Sequence, residues 1–151
     1  MSNLQSLFHC NINVTNLDVS LPFYEMLGFK VIVDFREGMS SPELAKALGL
    51  SESKCRGVHL SADGDPSKTR IDLVEFEIPK TQGTPYKHLH HAGINRVSIR
   101  VDNLNALYHE LISKGVKFIS EPVTLPGTKG FTFVCFKDPD GTVLQFVEGD
   151  L

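Results

Sequence analysis

The sequence has no run of a single charge, no apolar stretch of membrane-spanning length and only three cysteines. Each absence excludes a class of protein. With no basic cluster and a net charge of −3, the chain offers nothing to the phosphates of a nucleic acid. Its apolar runs fall far short of the roughly 20 residues that cross a bilayer. The opening MSNLQSLFHC carries no charged-then-apolar leader pattern. Cys10, Cys55 and Cys135 are odd in number and lack motif spacing, so no disulfide framework is expected. Reduced thiols in a cytoplasmic protein are the expectation. Cys10 and Cys135 fall inside apolar strand patterns, as small buried hydrophobes rather than nucleophiles.

What is present is ordinary in composition and unusual in order. A length of 151 residues, 41% hydrophobic and 22% charged, suits one well-cored domain or two half-domains sharing a core. Residues 9–32, HCNINVTNLDVSLPFYEMLGFKVI, lie without a gap on residues 96–119, RVSIRVDNLNALYHELISKGVKFI. Ile12 meets Ile99, Val14 meets Val101, Asn16 meets Asn103, Leu17 meets Leu104 and Gly28 meets Gly115. Further on, IDLVE at 71–75 lies on LQFVE at 144–148. The chain reads as two copies of one unit, and a function shared between the copies is the working expectation.

Residues 7–14 alternate, with Phe8, Cys10, Ile12 and Val14 on one face and His9, Asn11 and Asn13 on the other, which reads as a strand. Asn16 caps a helix that runs to Leu27 and stops at Gly28; Pro22 fits only if that helix starts just before it. A strand over 29–35 follows. Ser41-Pro42-Glu43 opens a short helix over 41–49, an insertion without a counterpart in the second copy. Strands over 56–62 and 69–77 form a hairpin turning at Asp63-Gly64-Asp65-Pro66. KTQGTPYKHLHHA at 80–92 has no apolar period and reads as a linker over the surface. The second copy repeats the order: strand 95–101, helix 104–114 ending at Gly115, strands 116–120 and 131–137, the turn Asp138-Pro139-Asp140-Gly141, and strand 142–148. The modules are therefore 1–79 and 93–151 of one compact domain. Ile12, Val14, Val97, Ile99, Val101, Leu144 and Phe146 are expected under helices. His9, Asn11, Asp72, Val74, Arg96, Ser98, Gln145 and Val147 are expected on the opposite faces, converging on a shared cleft.

The pattern H-x4-V-x2-L-x2-S-x2-F-Y-x2-L-G-F over 9–29, with KDPDGTVLQFVE over 137–148, resembles the vicinal-oxygen-chelate superfamily of glyoxalases, methylmalonyl-CoA epimerases, bleomycin-resistance proteins and extradiol dioxygenases. The resemblance spans nearly everything from His9 to Glu148. It implies an α+β fold in which tandem βαβββ modules form an incomplete, cupped β-barrel with flanking helices, assembled as a homodimer. It also implies a divalent metal held by the first and last strands of each module, at positions that fall on His9, Asp72, Arg96 and Gln145. The metal would be Zn, Ni, Mn or Fe, acting as a Lewis acid on adjacent substrate oxygens.

Only His9 is the usual ligand type. Asp72 stands where glutamate is common and reaches about 1.5 Å less far, by one C–C bond. Gln145 is a neutral amide. Arg96 stands where histidine is usual, and a permanent guanidinium cannot ligate. The metal set is thus His9, Asp72 and Gln145. Arg96 either pairs with Asp72 in place of the metal, or clamps a substrate carboxylate or enolate while His9 carries the proton. His9 and Arg96 are then the catalytic candidates, with Asn11, Val74, Arg96, Ser98 and Val147 in contact with substrate. His88, His90 and His91 look like a metal cluster but sit in the linker, where a solvated loop or lid is the plainer reading. Phe23 and Tyr24 read as core, and His109 as exposed. His59 is left open, because periodicity alone does not settle which way it faces.

Two functions compete. One is lyase- or isomerase-type chemistry on a small oxo-compound or thioester at a degenerate metal site; extradiol cleavage is disfavoured there, since its iron wants two histidines and a carboxylate. The other is metal-free binding or sequestration of a small molecule.

Overall fold

The computed structural model describes residues 3–151, which divide into two compact units meeting at Gly83 and Thr84. The division falls inside the stretch read as a linker.

In the first unit, β1 (His9–Asn13) leads to α1 (Leu17–Met26) and β2 (Phe29–Asp34). After β3 (Met39–Ser40) and α2 (Pro42–Ala47), β4 (Lys54–Ala62) and β5 (Arg70–Ile78) complete the sheet in the order β1-β5-β4-β2, with β3 beside β4. The second unit runs β6 (Val97–Arg100), α3 (Leu104–Ser113), β7 (Val123–Thr124), β8 (Lys129–Lys137) and β9 (Val143–Asp150), in the order β6-β9-β8-β7. In both units the first strand pairs parallel with the last, and the other named pairs are antiparallel. The fold is α+β with two open sheets and no closed barrel. Among the described residues no helix is long and apolar enough to cross a membrane.

The duplicated residues have a physical reason. Asn16 and Asn103 each turn a side-chain oxygen onto a backbone N–H of the first helical turn, at 3.0 Å in both cases. Glu75, near the end of β5, accepts the Leu17 N–H at 2.8 Å, and Glu148 in β9 accepts the Leu104 N–H at 2.9 Å. A carboxylate on the last strand of each unit thus satisfies a free donor at the positive end of that same unit's helix, which ties helix to sheet. The first unit adds Arg56, which donates to Glu75 and reaches Asp18 at 2.9 Å.

α1 buries Leu17, Leu21 and Tyr24 over Ile12, Val58, Leu60, Ile71 and Leu73. α3 buries Leu104 and Leu111 in the second unit, whose core also holds Val134, Phe136, Leu144 and Phe146. Each such side chain contributes about 1.5–3 kcal/mol. Val97, Ile99 and Val101 are only half-buried, as befits an edge strand.

Three local expectations change. α1 begins five residues before Pro22 rather than just before it. Proline there removes one helical bond, and the doubly capped, buried N-terminal turn offsets that loss. The strand expected over 116–120 is reduced to a bridge from Phe118 to Phe136; Pro122, which has no N–H to donate, separates it from β7. Phe8 lies before β1 begins, so the alternation does not govern it. Its ring is 59% exposed, 5.2 Å from the His9 ring and beneath the Arg70 guanidinium at 4.8 Å.

Candidate functional site

Three neighbouring strands of the first sheet, β1, β5 and β4, each place one polar side chain on the same face. Asn11 and His59 are both register partners of Asp72, and His9 lies two residues before Asn11 on its face. The result is a cluster of His9, His59 and Asp72, all half-buried, with ligand-capable atoms within 4.8 Å of one another. Among the described residues it is the one such group of histidine, cysteine and carboxylate side chains. His59 Nε2 lies 3.4 Å from Asp72 Oδ1, and His9 Nε2 lies 4.0 Å from Oδ2. Asn11 donates to Asp72 Oδ2 at 3.2 Å and fixes the carboxylate. His9 Nδ1, His59 Nδ1 and Asp72 Oδ1 are buried without a hydrogen-bond partner. Leaving such an atom unsatisfied costs about 1–3 kcal/mol, and Asp72 Oδ1 is the one of the three that lies beside an imidazole Nε2, where a bound cation would satisfy it.

Aromatic rings flank the cluster. The His9 and His59 rings meet edge to face at 5.6 Å, Phe8 is 6.3 Å from His59, and Phe35 is 6.0 Å from it on β4's other neighbour side. Phe35 can lie there only because residue 57 is glycine: a Cβ would come within 2.7 Å of the Phe35 ring and collide with the Leu73 carbonyl.

The equivalent face of the second sheet is chemically different. Arg96, just before β6, donates from Nε to Gln145 Oε1 at 3.1 Å and from Nη1 to Asn95 Oδ1 at 3.2 Å. Ser98 donates to the same Gln145 oxygen at 2.6 Å. Gln145 is 5% exposed, and its carbonyl, the one atom through which it could ligate, already accepts twice. Cys135 is its register partner, in the place His59 takes opposite Asp72. Burial raises the Cys135 thiol pKa, against the lowering pull of Arg96. The first copy therefore presents two imidazoles and a carboxylate where the second presents a guanidinium, a thiol and an amide. Val74 and Val147 are 5% and 8% exposed in their respective sheets.

His59 is the residue sequence reasoning left unassigned. The hairpin turn at residues 63–66 was a partial signal, but only the β4–β5 register puts His59 across from Asp72 on one face. The expected set had one histidine; the structure supplies a second. The linker histidines His88, His90 and His91 have ring centroids 5.1–5.5 Å apart on exposed backbone, outside any group with converging ligand atoms among the described residues.

Two imidazoles and one carboxylate suit a divalent transition ion, and the unpartnered Asp72 Oδ1 is consistent with one. Duplicated βαβββ units, with a polar centre on the first sheet, define the class of protein. The chain belongs to the Glyoxalase/Bleomycin resistance protein/Dioxygenase superfamily, whose pattern matches residues 6–146. Among solved structures, it is similar to a glyoxalase family protein from Bacillus cereus, with TM-score 0.83 and 18% identity over 100% of this chain and 99% of that one. It is also similar to the trypanothione-dependent glyoxalase I of Leishmania major, with TM-score 0.64 and 25% identity over 96% and 87%. A third similar structure is an antibiotic-binding protein from a Streptomyces species, with TM-score 0.65 and 20% identity over 99% of each chain. No curated protein matches the chain.

Proposed function

We propose that this chain is a cytoplasmic, homodimeric enzyme of lyase or isomerase type, acting on a small oxo-compound or thioester at the polar face of its first sheet. The observation that carries the reading is Asp72 flanked by His9 and His59, in a centre with unsatisfied buried atoms. Chemistry of this type moves a proton between carbons next to a carbonyl. Asp72 is the group we assign to take it, since a carboxylate has two oxygens: an ion would engage Oδ1, beside His59 Nε2, while Oδ2, oriented by Asn11, keeps a lone pair for the proton. With no ion bound, His9, whose Nε2 lies 4.0 Å from Oδ2, can relay the proton. The rings of Phe8 and Phe35 flank the His59 imidazole and give its surroundings apolar walls. A divalent ion held by His9 and Asp72 would add Lewis acidity at the substrate carbonyl oxygen. In the second unit, Arg96 with Ser98 is assigned to an anionic group of a ligand, and Val74 and Val147 to apolar contact.

The test is proton exchange in D2O, followed by NMR, over a panel of 2-oxoaldehyde–thiol adducts, 2-branched acyl thioesters and a catechol under air. We expect deuterium to enter at the carbon beside the carbonyl of one carbon-acid class, with Asp72→Asn slowing it about 100-fold or more. Catechol cleavage without exchange would move the assignment to oxygenase chemistry, whose iron takes this donor set. A second reading, sequestration of a small molecule, is favoured by the guanidinium that the second copy fixes on Gln145. It predicts saturable binding with neither exchange nor turnover.

A further inference from the structure

We infer that the metal centre of this chain is complete within the first unit: His59 is the third protein ligand beside His9 and Asp72, and Gln145 is not a ligand. The inference rests on the proposed site but not on its reaction. Two atoms bound to one ion at about 2.1 Å stand about 3.4 Å apart in a tetrahedral site and about 3.0 Å apart in an octahedral one. His59 Nε2 and Asp72 Oδ1 are at 3.4 Å already, before any ion draws them together. His9 Nε2 lies 4.0 Å from the other carboxylate oxygen, in a group whose ligand atoms all fall within 4.8 Å of one another, so a small inward movement lets it join. The strands make this inevitable: β4 and β5 put His59 directly across from Asp72, and β1 lies directly beside β5. Asn11 supplies the supporting hydrogen bond that a ligating carboxylate needs.

The converse holds for Gln145. Its Oε1 is bonded by Ser98 and by Arg96, so ligation would cost two hydrogen bonds and bring a fixed cation toward the ion. Two imidazoles with one carboxylate select a borderline transition ion, zinc or iron(II) in class, over magnesium or calcium, which want oxygen ligands. Three protein ligands leave positions open for a substrate oxygen pair.

The test uses the full chain stripped with a chelator and titrated with Co(II), read by visible d–d absorption, with Zn(II) competition for affinity. We expect one ion per chain. His59→Ala should weaken binding by about 100-fold or more, since even supporting residues around a metal cost 10–100-fold. Gln145→Ala should stay within about threefold of the parent. The triple change His88→Ala, His90→Ala, His91→Ala should keep the stoichiometry and spectrum, which excludes the linker histidines. Far-UV circular dichroism and the thermal midpoint in EDTA show whether each variant folds; should His59→Ala fail there, His59→Gln is read in its place. Wild-type affinity in the His59 variant, loss of metal in Gln145→Ala, or no stoichiometric ion in the parent overturns the inference. Deuterium exchange in a chain that takes up no stoichiometric ion would sink this inference and spare the proposed reaction; a tight ion lost in His59→Ala, without exchange in the parent, would do the reverse.

Discussion

The glutamates that join each sheet to its helix give the sharpest stability prediction. Replacing Glu148 by Ala strands the Leu104 N–H and removes a negative charge from the first turn of α3. From the usual worth of a helix cap plus the dipole term, the cost is about 1–2 kcal/mol. Replacing Glu75 by Ala does the same to Leu17 and also takes from Arg56 the carboxylate that it holds through Nε at 3.2 Å and Nη2 at 2.9 Å. Glu75 and Arg56 side chains are 19% and 24% exposed, so solvent screens the pair little and roughly 1–2 kcal/mol more is expected. With a urea slope of about 2 kcal/mol/M, the midpoints should fall by about 0.5–1 M and about 1–2 M respectively. Glu75→Gln, which keeps an acceptor and loses the charge, should fall between. If Glu148→Ala leaves the midpoint unmoved, or costs as much as Glu75→Ala, the account of the repeated VE pair is wrong.

Gly57→Ala should cost about 1–3 kcal/mol from crowding against Phe35 and the Leu73 carbonyl. A double variant with Phe35→Ala should cost less than the sum of the singles, and plain additivity in urea melts would contradict the packing described. Arg36 holds the Asp34 carboxyl down to about 2 through its guanidinium and backbone N–H. Because this folded value lies below the ordinary one of about 3.9, the stabilisation is full above pH 4 and disappears as pH falls through 2. The urea midpoint of Asp34→Asn should thus differ from wild type at pH 5 and converge near pH 2; an NMR midpoint for Asp34 near 3.9 would refute it. Burial raises the thiols of Cys10, Cys55 and Cys135, so a disulfide reagent at pH 7.5 should label the native chain slowly and the urea-unfolded chain at once. Rapid native labelling would show one of them to be an activated thiolate.

Much of the fold was legible because capping and turn chemistry are local. Asn16, Asn103, Gly28 and Gly115 mark where helices start and stop whatever surrounds them, and β-strand alternation placed Ile12, Val14, Leu144 and Phe146 in the core. The repeat even carried the sheet-to-helix glutamates, although their role is invisible until a strand end meets a helix start. The site was legible in half. His9 and Asp72 stood among the positions that the family resemblance implied, whereas His59 needed strand pairing. That pairing depends on where the β4–β5 hairpin turns, and a strand with His59 at its centre reads equally well on either face.

The amino-acid order alone determined that two βαβββ copies would form, since their periodicities, caps and turns act over a few residues. Only the tertiary structure decided that the converging donor atoms lie in the first copy. Donor atoms from β1, β4 and β5, up to 63 residues apart in the chain, converge through lateral hydrogen bonding of strands. The same lateral contacts spend the Gln145 carbonyl on Arg96 and Ser98. Distance along a chain says nothing of distance across a sheet, and ligation depends on the second.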